Sequence, residues 1–134
     1  MSNTNLVGKV VSGRYKRAGR EASEMAIEVS AHVVIPDTRG NRVPYYFGTR
    51  LDSAAAGNVM LVRSNCFKPD SVKVAPATSF KPIEGLAEGE WFVTPPSEAN
   101  ASFAYVERVK DPSDQQWAAS LGGKPLANYV VKAA

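Results

Sequence analysis

The chain has 134 residues, 44% of them hydrophobic and 22% charged, with a formal net charge of +3. That length and balance suit a single globular domain able to bury its own core. One cysteine, Cys66, and one histidine, His32, exclude an intramolecular disulfide and leave tetrahedral zinc or a His-based triad without its usual parts.

No apolar run approaches the roughly 20 residues needed to cross a bilayer. The opening MSNTNLVGKV lacks the charged start and apolar stretch of a secretory signal. A protein of a reducing cytoplasm, host or viral, is expected, with no membrane association. Charge is unevenly spread. Residues 1–50 hold eight basic against four acidic side chains, whereas residues 81–134 hold five against seven. The N-terminal half is therefore the part suited to an anionic partner.

Taken in order, Leu6 to Ser12 predicts a first strand with Gly8 as a bulge or bend. The next residues, GRYKRAGREAS, are too many for a tight turn and predict a protruding basic hairpin tip. Met25 to Ile35 has apolar residues at every second position. That is the period of a strand with one face on a core. At roughly 3.3 Å per residue it would span about 35 Å, so it should bend or pair with two different neighbours. PDTRGN is a turn, and Arg42 to Arg50 is the return strand, with Val43, Tyr45 and Phe47 inward and Arg42, Tyr46 and Arg50 outward. Pro44 places that strand at an edge, or its own amide position facing out.

Val59 to Ser64, Val72 to Ala75, Glu90 to Thr94 and Ala101 to Val109 predict further strands. The stretch 76–89, with Pro76, Pro82, Gly85 and Gly89, reads as a surface connector in which Glu84, Glu88 and Glu90 are solvated. Asp111 as a cap, Pro112 at the first position and Gly122 as a stop predict one helix over Asp111–Leu121. Trp117, Ala118 and Leu121 form its expected buried face. The whole is expected to be one β-rich domain over 1–134, a small barrel or sandwich of about six to seven mostly antiparallel strands, closed by a short helical segment at about 111–134.

Catalysis finds little support. The phosphate-loop, dinucleotide-binding, nucleophile-elbow and zinc-protease motifs are all missing. His32 falls in the polar register of the long strand and reads as a structural histidine. Cys66 reads as a small buried apolar group rather than a nucleophile. No cofactor or metal is expected.

The stronger pattern is basic residues interleaved with aromatics: Arg14, Tyr15, Lys16, Arg17 and Arg20, then Arg42, Tyr46 and Arg50. Cations displace counterions along a phosphate chain, and exposed bases stack on flat aromatic faces for about 1–3 kcal/mol each. Tyr15 and Tyr46 are the expected stacking platforms. The competing account makes Tyr46 an ordinary strand tyrosine and the arginines solubilising charges.

NLVGKV, the basic RYKRAG tip, the long MAIEVSAHV strand and PYYFGTRL together resemble the strand order of OB-fold single-stranded DNA-binding proteins. The likeness covers about residues 5–64. It implies a curved sheet cradling a single strand, and contacts from Tyr15, Lys16, Arg17, Arg42, Tyr46 and Arg50. The expected function is thus non-enzymatic binding of single-stranded DNA or RNA with low sequence specificity, by a homo-oligomer, in a phage or mobile element. The alternative is a phage or viral coat or decoration subunit that self-assembles through its sheet. The order of strands before helical segments is similar to that of RNA-phage coat proteins, in which the sheet faces the genome. A protein-binding adaptor is a third, less specific option.

Overall fold

The computed structural model describes residues 5–16, 21–52, 56–96 and 104–131. Eight strands and one α-helix are found among them: β1 (Lys9–Tyr15), β2 (Ser23–Pro36), β3 (Arg42–Arg50), β4 (Val59–Arg63), β5 (Lys73–Pro76), β6 (Trp91–Thr94), β7 (Tyr105–Arg108), α1 (Pro112–Ser120) and β8 (Lys124–Pro125). The strands form a five-stranded sheet, β4-β3-β2-β1-β5, and a three-stranded sheet, β7-β6-β8. All pairings are antiparallel. The mainly β expectation holds, with two open sheets and no closed barrel among the described residues.

Strand β1 starts three residues later than the sequence predicts. Gly8 adopts φ +83°, and the Lys9 N–H closes a turn onto the Leu6 carbonyl, so extended backbone begins only at Lys9. The strand then runs on to Tyr15.

The long strand β2 is the axis of the molecule, and it has two neighbours along one edge. Its first half pairs with β1. Its second half pairs with the C-terminal segment through a Val33–Val130 bridge, with the Val34 N–H on the Tyr129 carbonyl and the Val131 N–H on the His32 carbonyl. Along its other edge lies β3, which is interior rather than at an edge. Pro44 fits there because β4 ends at Arg63, opposite Tyr45, so no strand asks Pro44 for an N–H.

A bulge at Ser30 governs the packing. Val29 stands opposite Gly48 and Ala31 opposite Phe47, two steps of β2 for one of β3. Directly opposed residues share a face, and neighbouring residues on one strand do not. The apolar row of β2 therefore changes face at Ser30. Met25, Ile27 and Val29 join Val11, Tyr15, Val62 and Phe67 in one core. Ala31, Val33 and Ile35 join Val43, Tyr45, Phe47 and Leu61 in another, which Val93 and Leu126 complete. We call the two sides the Val62 face and the Phe47 face. The second sheet packs on the Phe47 face, where Trp91 meets Phe47 edge-on at 5.3 Å between ring centroids.

Helix α1 forms where expected, with the Asp111 carboxylate accepting the Ser113 N–H at 2.8 Å. Its buried face differs from the expectation. Ala118 is buried, but Trp117 and Leu121 are 67% and 66% exposed. The cause lies at Gly123, whose N–H bonds the Ala118 carbonyl and where a Cβ would fall 2.8 Å from that oxygen. The chain reverses tightly over the Ala118 side, and the stripe one position away is left in solvent. No helix among the described residues is long and apolar enough to cross a membrane.

Candidate nucleic-acid interface

The structure separates the predicted basic and aromatic residues into three groups. Arg17 and Arg20 lie outside the described residues. Tyr15, placed inside the lengthened β1, alternates inward with Val11 and is 6% exposed. Its ring packs edge-on against Phe67 at 5.2 Å, and its hydroxyl accepts the Arg63 N–H at 3.1 Å. Tyr46 is half-buried between His32, at 5.7 Å, and Phe67, at 6.2 Å. Both rings thus belong to the Val62-side core, and the stacking expected of Tyr15 has no open ring face to use.

Arg50 is held by Asp52, its Nε on Oδ1 at 2.9 Å and its Nη2 on Oδ2. Both side chains are largely buried. The Arg50 hydrogen bonds hold the Asp52 carboxyl below the usual carboxylate range, so this guanidinium has a permanent partner. Arg42 is exposed but stands opposite Pro36, at the end of β2 remote from Arg14. The turn beside it is fastened by Asp37, whose carboxylate accepts the Arg39 and Asn41 N–H groups at 2.9 Å.

Arg14 and Lys16 remain, both exposed, and the fold adds two cations to them. An isolated bridge joins Tyr15 to Phe67. The Lys16 N–H donates to the Cys66 carbonyl and the Lys68 N–H to the Arg14 carbonyl. That register puts Lys68 opposite Arg14. One hydroxyl locks the pair, because Ser71 Oγ accepts the Arg14 N–H at 2.9 Å and donates to the Lys68 carbonyl at 2.7 Å. Two residues back along β1, Lys73 of β5 stands opposite Ser12. Since Ser12 and Arg14 share a face, Arg14, Lys68 and Lys73 form one exposed row on the Phe47 face, with Lys16 continuing it. Glu24, across from Arg14 on β2, forms no ion pair with it. Lys68 and Lys73 were not legible as members from sequence, because the Tyr15–Phe67 bridge and the β1–β5 ladder, both between distant parts of the chain, bring them in.

The same face leads into a cleft of about 550 Å³. Glu28, Thr49 and Val59 form its floor, with Ile83, Trp91 and Arg108 opposite. Glu28 stands opposite Val10 and Thr49, four residues along β1 from the Arg14 position. The Trp91 Nε1–H donates to the Glu84 carbonyl at 2.9 Å. Arg108 donates to Glu90 at 2.9 Å and to Glu84 at 3.3 Å, so Glu84 and Glu90 clamp an arginine instead of being only solvated. Gly85, at φ +88°, lets the turn close over that clamp, since a Cβ there would lie 2.6 Å from Arg108 Nε.

Among the described residues no group of three His, Cys, Asp or Glu side chains is placed to hold a metal ion. No family model, curated protein or solved structure matches the chain.

Proposed function

We propose that this chain is a non-enzymatic protein that binds single-stranded nucleic acid, DNA or RNA, with most of its affinity independent of sequence. The exposed row of Arg14, Lys68 and Lys73, extended by Lys16, carries the reading. A narrow row along β1 and the residues paired beside it suits one phosphate chain, and cations fixed by backbone pairing bind phosphate without ordering a flexible segment. Arg17 and Arg20 follow Lys16 closely in the sequence and add to its run of basic residues. The bulged β2 with two neighbours on one edge supports the OB-like comparison. Affinity rests on phosphate contacts rather than on Tyr15 or Tyr46. The reading places the protein in a cytoplasm, of a host cell carrying a phage or mobile element. In fluorescence anisotropy with a labelled oligothymidine, Arg14→Ser with Lys68→Ser should weaken binding at least tenfold while the melting temperature holds. Unchanged affinity in that folded variant would remove the row from consideration.

A second reading, a self-assembling coat or decoration subunit, is favoured by one observation. Trp117 and Leu121, four apart at the C-terminal end of α1, present an exposed apolar stripe, and such stripes commonly mark contacts between copies. Size-exclusion chromatography across protein concentration decides it, since a subunit assembles into particles and a small binding protein elutes as a monomer or dimer.

A further inference from the structure

Of the acidic and aromatic groups that line the cleft beside the basic row, the Glu28 carboxylate has capacity to spare. The Trp91 N–H is engaged by Glu84 and the Arg108 guanidinium by Glu84 and Glu90. Glu28 forms no ion pair among the described residues, and its carboxylate receives the Lys81 N–H only at 3.5 Å. A ligand that fits this cleft needs a flat face for Trp91 and hydrogen-bond donors for a carboxylate.

Small organic cations and nucleobases both meet that description, and the surroundings separate them. Glu28 lies four strand positions from Arg14, about 13 Å at 3.3 Å per residue, on the same face as Lys68 and Lys73. A free cation approaches against that row. A base whose own phosphates sit on the row is delivered by it. Among the bases, guanine alone offers two adjacent donors on its Watson–Crick edge, N1–H and N2–H, spaced for two carboxylate oxygens. Adenine and cytosine place a ring acceptor beside their amino group, and thymine flanks its one N–H with two carbonyls. Either arrangement sets a lone pair against the carboxylate.

We propose that the cleft receives one unstacked guanine of the bound strand, its ring against Trp91 and its N1–H and N2–H on the Glu28 carboxylate. The proposal rests on the single-strand reading above, and it adds a preference at one position to an otherwise sequence-independent contact.

The test compares an oligothymidine with the same oligomer carrying one central guanine. The wild-type protein should bind the guanine oligomer about tenfold more tightly, the size of a good bidentate base contact. Glu28→Gln should abolish that ratio and leave the oligothymidine affinity unchanged, whereas Lys68→Ser should weaken both oligomers alike. In a Trp117→Phe background Trp91 is the sole tryptophan, and guanosine monophosphate should quench its emission unless Glu28 is also replaced. Equal affinities for the two wild-type complexes, with no quenching, overturn the guanine site and leave the basic row standing. Failure of both oligomers to bind overturns the row and the site together.

Discussion

The His32 ring accepts the Leu6 N–H through Nε2 at 2.9 Å and meets Tyr46 edge-on. Only the neutral ring can do this, because a protonated Nε2 would turn a second donor toward the amide. Burial lowers the His32 pKa below its ordinary 6.5. The unfolded chain therefore takes up a proton at a higher pH than the folded one. The stability that His32 contributes is fully present above about pH 6.5 and is lost as pH falls through the lowered folded-state value. Thermal melts from pH 8 to pH 5 should show a falling midpoint below about pH 6.5, and His32→Gln, which keeps an acceptor, should flatten that fall. An equal fall in both proteins would assign it to other groups. The alternation around His32 already marks it as structural, but its acceptor role depends on Leu6, 26 residues away, and no local pattern announces such a partner.

The elements owe their arrangement to the Ser30 bulge. Gly48 sits opposite it, and any Cβ at Gly48 would collide with the Glu28 carbonyl oxygen and lie 3.0 Å from Ile27 Cγ1. Gly48→Ala should lower stability by about 3 kcal/mol, the upper part of the range for overpacking, read as a shift in the urea midpoint at constant slope. A loss below about 1 kcal/mol would show that the strands can part there without consequence. Helix α1 makes the opposite prediction. Replacing Trp117 and Leu121 together by serine should change stability by no more than about 0.5 kcal/mol, as for exposed positions in general. A loss above about 2 kcal/mol would mean that the stripe is buried in solution, as self-assembly requires.

Much of the β architecture was legible, and the limits have physical reasons. Val43, Tyr45 and Phe47 are buried as their period-two spacing predicts, and Arg42–Arg50 is a strand with the predicted bounds. The change of face at Ser30 was not legible. Alternation from Met25 to Ile35 runs unbroken through the bulge, and nothing in it marks Ser30 as the extra residue that turns the row to the other face. The helix bounds follow from Asp111, Pro112 and Gly122, yet its buried side is decided by the reversal at Gly123, beyond its end.

At the scale of the whole molecule, the second sheet covers one part of the Phe47 face of the first and leaves another part open. Its apolar part lies under Trp91, Val93 and Leu126. Its polar part runs from the Arg14–Lys68 pair through Ser12 and Lys73 to Glu28 at the cleft. Sequence showed the first cations of that row, Arg14 and Lys16. It could not show Lys68 and Lys73, which arrive through pairing between residues more than 50 apart, or that Tyr15 and Arg50 are already committed to Phe67 and Asp52.

The claim that this row holds a nucleic-acid strand is tested most directly by the salt dependence of oligothymidine affinity. Each phosphate contact on a single strand contributes about −0.7 to the slope of log affinity against log salt. Replacing Arg14, Lys68 and Lys73 together by serine should flatten the wild-type slope by about 2. An unchanged slope in that folded variant would contradict the assignment of the strand to this face.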